Sequence, residues 1–181
     1  QGHWDVAKKH FMEAAKEANL PRAIIVNKID LPDLDLEQLV ENLREAFGSE
    51  CLPVNLPSGK GKAVVETLLS KSGEADFSSV ADAHSAILDQ IVELDENLME
   101  KYLGGEEPNY EALHDPFEKA MDEQHLVPIL FTDAKAGVGV PELLDFIARW
   151  FPSPLEGNPR PFLTGEKGTA DEKPFEYKND A

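Results

Sequence analysis

Four residues, Asn27-Lys28-Ile29-Asp30, stand directly behind the apolar run Ala23-Ile24-Ile25-Val26. That run is too short for a helix and is β-branched, as expected of a strand buried on both faces. In α/β sheets ligands meet the chain beyond the carboxyl ends of strands, so these side chains are where a ligand would arrive. An ionised Asp30 can accept from two adjacent donors, which matches the ring N1–H and exocyclic amine of guanine and is not offered by adenine. Asn27 can hold the N7 side of the ring and neighbouring loops, and the Lys28 stem can lie over the base as an apolar cover. A polar turn after a strand would present the same four residues.

A second segment has the same placement. Phe131-Thr132-Asp133-Ala134-Lys135 closes the apolar run Val127 to Phe131 and precedes Gly137-Val138-Gly139-Val140. A backbone N–H at Ala134 could donate to guanine O6. By itself it is an Asp-containing strand-to-helix loop, but two such loops after two strands, in this order, point to one base-reading site. The guanine-binding candidates are Asn27, Lys28, Asp30, Asp133, Ala134 and Lys135.

Other signals fail. Gly61-Lys62 lacks the Gly five residues earlier, where Leu56 stands, and is followed by Ala63, so Gly59 to Lys62 is read as a solvated turn instead of a phosphate loop. Asp33, Asp35 and Glu37 suggest a calcium loop, yet Gln38 occupies the Gly position and Arg44 that of the bidentate acid. His3, His10, His84, His114 and His125 show neither HExxH spacing nor a Cys partner. No metal ligand and no catalytic residue is assigned.

The elements that must position these loops follow from periodicity. A helix is expected over 5–18, with Asp5 as N-cap, Trp4 as staple, and Phe11, Ala14, Ala15 and Ala18 on its inner face. Asp35 opens a second, striped by Leu36, Leu39, Val40 and Leu43 and closed by Gly48. Cys51 to Leu69 reads as short antiparallel strands. One long helix follows Ser79, with Val80 through Tyr102 on a single stripe and Gly104 as cap. Another runs from about 109 to 124 through Tyr110, Leu113, Phe117 and Met121. A last helix has Pro141 in its first turn and turns Leu143, Leu144, Phe146 or Ile147, and Trp150 inward. Beyond Phe151, five Pro and three Gly in 30 residues read as a linker.

With 181 residues and 41% apolar content, the chain suits a globular protein of one or two domains without a membrane span. Seventeen Lys and Arg against 35 Asp and Glu give a net charge of −18, which argues against coating nucleic acid or reading DNA sequence. Between Asp89 and Glu123, twelve acids oppose two Lys, a local −10. The single cysteine, Cys51, and the lack of a secretory signal suggest the cytoplasm. The start at Gln1 suggests a piece of something longer.

In this order, the residues resemble the later half of the GTP-binding domain of bacterial elongation factor G and its translational GTPase relatives. Asn27-Lys28-Ile29-Asp30 matches the guanine motif, and Leu52-Pro53-Val54-Asn55-Leu56-Pro57 the start of the inserted subdomain. Asp95 to Leu103 matches its long acidic helix; Gly137-Val138-Gly139-Val140 through Phe151-Pro152-Ser153-Pro154 matches the closing helix and exit. The resemblance implies an α/β fold, the C-terminal half of a P-loop GTPase sheet and its last two strands, with an α+β insertion. GTP-binding-domain parts would span 1–50 and 126–152, the insertion 51–125, and a linker 153–181. It implies GTP or GDP as ligand, magnesium as cofactor, GTP hydrolysis coupled to a ribosomal step, and contact of the insertion with the ribosomal stalk protein. The family's second loop usually reads Ser-Ala, and Asp133 takes the Ser place. The phosphate loop, the magnesium-holding Thr and the water-positioning His of such enzymes would lie upstream, so this chain alone is expected to be inactive. The rival reading is a non-catalytic acidic module that docks a basic partner.

Overall fold

The computed structural model describes residues 2–153, 163–165 and 173–174. Three strands form its parallel sheet: β1 (Ile24–Asn27), β2 (Cys51–Pro53) and β5 (Val127–Thr132), in the order β1-β5-β2. Two more, β3 (Asn55–Ser58) and β4 (Ala63–Glu66), make a separate antiparallel hairpin. The helices are α1 (Gly2–Glu17), α2 (Leu36–Phe47), α3 (Val80–Val92), α4 (Glu96–Leu103), α5 (Tyr110–Asp122) and α6 (Val140–Trp150).

The central strand explains the core. All six residues of β5 are buried, because it is flanked by a strand on each side and by packed side chains on both faces. Its side chains alternate: Val127, Ile129 and Phe131 join β1, α2 and Cys51, while Leu130 joins the α3–α5 and α6 cluster built around Leu88, Ile91, Phe117 and Trp150. Cys51 is fully buried, and desolvation pushes its thiol up to about 11.

Several expectations need correction. Cys51–Pro53 is not antiparallel; it pairs in parallel with β5, so the sheet holds three strands of this chain instead of two. Only β3 and β4 form the expected antiparallel pair. β1 is an edge strand here and is not buried on both faces, with Ile25 51% exposed. The helix after Ser79 is broken at residues 93–95. Asp95 is extended (φ −140°), and its side chain accepts from the Leu98 N–H, which starts α4 as a separate helix. Ser79 and Gly104 do cap α3 and α4 as expected.

α1 begins at Gly2, so Asp5 lies inside the helix and does not cap it. Phe11 and Ala14 face outward and Met12 packs inward, while Ala15 and Ala18 are half-buried as expected. In α6, Phe146 and Trp150 are buried while Leu144 and Ile147 are exposed. The α2 assignment holds in full: Asp35 accepts from the Gln38 N–H at 2.9 Å, Leu36, Val40 and Leu43 are buried, and Gly48 closes the helix with φ +120°. Pro116 lies inside α5, where it removes the N–H that would meet the Ala112 carbonyl; burial of Leu113, Phe117 and Met121 offsets that loss. No helix among the described residues is long and apolar enough to cross a membrane. Most of 153–181 lies outside the described residues; within it Leu163–Thr164 (β6) pairs with Lys173–Pro174 (β7).

Candidate guanine-reading site

Register places the two loops side by side. β1 and β5 are parallel neighbours with Asn27 opposite Thr132, so the chain leaves both strands at the same level of the sheet. Asn27 ties the loops together. Its Oδ1 accepts from the Lys28 N–H at 2.9 Å and from the Ala134 N–H at 3.0 Å, and the Thr132 hydroxyl lies 3.4 Å away.

The first loop is a tight turn. Lys28 has φ +64°, a left-handed conformation that costs a side-chain-bearing residue ~1 kcal/mol or more and persists where its surroundings fix it. Ile29 is the anchor: it is buried, and its N–H donates to the Thr132 carbonyl at 3.3 Å. The Leu31 N–H returns to the Lys28 carbonyl at 3.3 Å. Lys28 and Asp30, on either side of the buried Ile29, are exposed. No described residue bonds the Asp30 carboxylate, which is the condition for accepting from a ligand.

The second loop is held by Asp133. This buried residue exchanges both backbone hydrogen bonds with Val138, at 2.8 and 3.0 Å. Its carboxylate accepts from the Lys135 N–H (3.1 Å) and the Ala136 N–H (3.3 Å). The acid in the Ser place therefore shapes its own loop. The Ala134 N–H expected to face a ligand carbonyl is engaged by Asn27, while Ala134 and Lys135 themselves are exposed. Gly139 must be glycine: φ is +71°, and a Cβ would lie 2.4 Å from the Phe131 carbonyl oxygen.

Sequence reasoning missed Asn55 and Asp76. Asn55 is 3% exposed and pairs with the backbone of Phe131 as a strand would, its Oδ1 accepting from the N–H at 2.7 Å and its Nδ2 donating to the carbonyl at 3.3 Å. It extends the β2–β5 ladder, whose last bond is Val54 N–H to Ile129 carbonyl at 3.0 Å, to the residue before Thr132. Asp76 holds the turn between β3 and β4. Neither role has a local signal, since Asn55 and Phe131 lie 76 positions apart.

A cleft of about 670 Å³ lies beside the loops and is lined by residues 29–37 with Lys60, Gly61, Asp76 and Phe77. It includes Asp30 but not Asn27, Lys28, Asp133, Ala134 or Lys135. Asp35 and Asp33, weighed above for calcium, border it, and Asp35 is committed to the α2 cap. His84 is buried with Nδ1 2.9 Å from the Thr67 carbonyl. His114, Asp115 and Glu118 bring ligand-type atoms within 4.8 Å on α5, a grouping the spacing rules above did not select. The hydrogen bond with Asp115, 3.1 Å from His114 Nδ1, raises the His114 pKa.

The model of the elongation factor Tu GTP-binding domain matches residues 3–153. The elongation factor G-like protein of Mycobacterium tuberculosis is 32% identical over 165 residues, which cover 84% of this chain and 23% of that protein. Elongation factor G of Fervidobacterium nodosum is 29% identical over 161 residues, covering 78% of this chain and 23% of that one. A solved Thermus thermophilus structure superposes with a TM-score of 0.64 at 33% identity, over 80% of this chain and 24% of its own. The chain thus spans about a quarter of the length of the relatives it matches.

Proposed function

Because this chain belongs to the elongation factor Tu GTP-binding domain family of translational GTPases, we propose that its two loops read guanine in a protein that couples GTP hydrolysis to a ribosomal step. The observation that carries the reading is the Asn27 side chain, which joins both loops at the ends of adjacent parallel strands. Asp30 accepts from the base N1–H and amine, and the Lys28 stem covers one face of the ring. The Ala134 N–H is shared with, or released to, guanine O6, and Lys135 flanks the other side. Asp133 holds that loop in shape.

The site does not fit magnesium. Asp30 is required by the base, Asp133 is engaged by Lys135 and Ala136, and the Thr132 hydroxyl lies within reach of Val26 and Asn27 oxygens. No catalytic step is assigned to these residues. The contribution of this chain is recognition and positioning, and phosphate chemistry belongs to other parts of such enzymes.

Partners follow from charge. Among the twelve acids between Asp89 and Glu123, nine are exposed: Asp89, Glu93, Glu96, Glu100, Glu106, Glu107, Glu111, Asp115 and Glu123. This acidic face suits a basic or mixed apolar-basic protein surface, and the ribosomal stalk protein in the cytoplasm is the proposed partner.

The decisive experiment is Asp30→Asn in the native reading frame of the chain. The Asn amide sets a donor against one donor of guanine, so GTP affinity should fall by ~2–4 kcal/mol, roughly 30- to 1000-fold. Xanthine carries a carbonyl where guanine has its amine, so the variant should shift toward xanthosine triphosphate. An unchanged ratio of the two affinities would mean that Asp30 does not read the base.

A further inference from the structure

The inserted hairpin presses on the first base-reading loop at one defined point. The turn between β3 and β4 is held by Asp76: one carboxylate oxygen accepts from the Lys60 N–H at 2.7 Å and the other from the Gly61 N–H at 2.8 Å. The Asp76 N–H in turn donates to the Pro57 carbonyl at 2.8 Å, which fixes the carboxylate relative to β3. Gly61, with φ +73°, rests directly on the first loop. A Cβ there would lie 2.3 Å from the Ile29 carbonyl oxygen and 3.2 Å from the Asp30 nitrogen. The Ile29–Asp30 peptide is therefore confined on one side by Gly61, while the Ile29 N–H is tied to Thr132 of the second loop.

We propose that Asp76 is a positioning residue for base recognition: by ordering the Lys60–Gly61 backbone against Ile29, it restricts the Asp30 carboxylate to the direction in which two base donors can be met together. The inference rests on the guanine-reading role of Asp30. Three facts separate it from a role in general stability. Asp76 is exposed and outside the hydrophobic clusters. Both its carboxylate oxygens serve the one turn that contacts the loop. The loop itself carries the left-handed Lys28, a conformation that persists only when neighbours define it. Two hydrogen bonds from guanine to one carboxylate demand closer alignment than one, so loss of the restraint should be felt first at the exocyclic amine.

The test compares GDP with inosine diphosphate, whose base lacks that amine. Titrations in the native reading frame should show a preference for GDP in the unchanged protein. In Asp76→Ala the ratio of the two affinities should fall by ~3- to 10-fold, and Gly61→Ala, which intrudes on the same contact from the other side, should do the same. Asp76→Asn, which keeps an acceptor for one of the two N–H groups, should fall between. Amide exchange in the 181-residue chain gives a readout without nucleotide: Asp76→Ala should speed exchange at Ile29 and Leu31 and leave Ile129 and Leu130 unchanged. An unchanged ratio in Asp76→Ala and Gly61→Ala, with Asp30→Ala abolishing the preference, overturns the inference and leaves the guanine assignment standing. Equal loss of both affinities, or unchanged exchange at Ile29, also overturns it. No preference for GDP in the unchanged protein defeats the guanine assignment and this inference with it.

Discussion

Asn55 offers the sharpest test of how the insertion is joined to the sheet. Its side chain is 3% exposed and substitutes for a strand, taking the Phe131 N–H at 2.7 Å and meeting the Phe131 carbonyl at 3.3 Å. Asn55→Ala removes both partners and leaves a buried N–H without an acceptor, a loss of ~1–3 kcal/mol, with a further contribution from the vacated space. A total of ~2–4 kcal/mol is expected for the pair of bonds. Asn55→Asp separates the two halves of the interaction. The carboxylate still accepts from the N–H, but its second oxygen faces the Phe131 carbonyl where a donor had been. Burial and that repulsion raise the folded-state pKa of the new acid above its unfolded value of about 3.9. A group raised in this way has its stabilising form below the unfolded pKa and loses it as pH rises through the folded pKa. The deficit of Asn55→Asp relative to the unchanged chain should therefore be small near pH 4 and grow toward pH 8. Urea unfolding followed by fluorescence, with the buried Trp150 as one reporter, gives the midpoint at each pH, with m required to stay constant. An Asn55→Ala chain within ~0.5 kcal/mol of the original, or an Asn55→Asp deficit flat from pH 4 to 8, would refute the strand-like role of Asn55.

Two further outcomes are expected alongside the base-swap result for Asp30→Asn. The purified 181-residue chain should release phosphate from GTP no faster than background, because positioning and charge neutralisation at the phosphates supply most of this catalysis and neither role is assigned to any described residue; magnesium-dependent turnover that survives repeated purification would contradict this. Binding of the acidic α3–α5 face to purified ribosomal stalk protein should weaken steadily across a salt series, and absence of binding at low salt would remove the stalk protein as partner.

The sequence alone determined those features whose causes are local. The β-branched run before Asn27 and the apolar run before Thr132 mark strands, and the polar residues after each fall at strand ends. Asp35, Ser79, Gly48 and Gly104 mark helix termini because a cap acts within three or four residues of its helix. The same locality misled where two signals compete: one apolar stripe runs through α3 and α4, but the Asp95 cap prevails over periodicity. Partner choice was beyond the sequence. Short apolar runs look alike whether they pair in parallel or antiparallel, so only the assembled sheet showed Cys51–Pro53 beside β5. The burial of Phe146 and exposure of Ile147 depend on which helices pack against α6. The supports of the candidate site lie furthest from sequence reading. Asn55 meets Phe131 across 76 positions and Ala134 meets Asn27 across 107, and such pairs are selected by the packing of whole elements, for which residue spacing carries no signal.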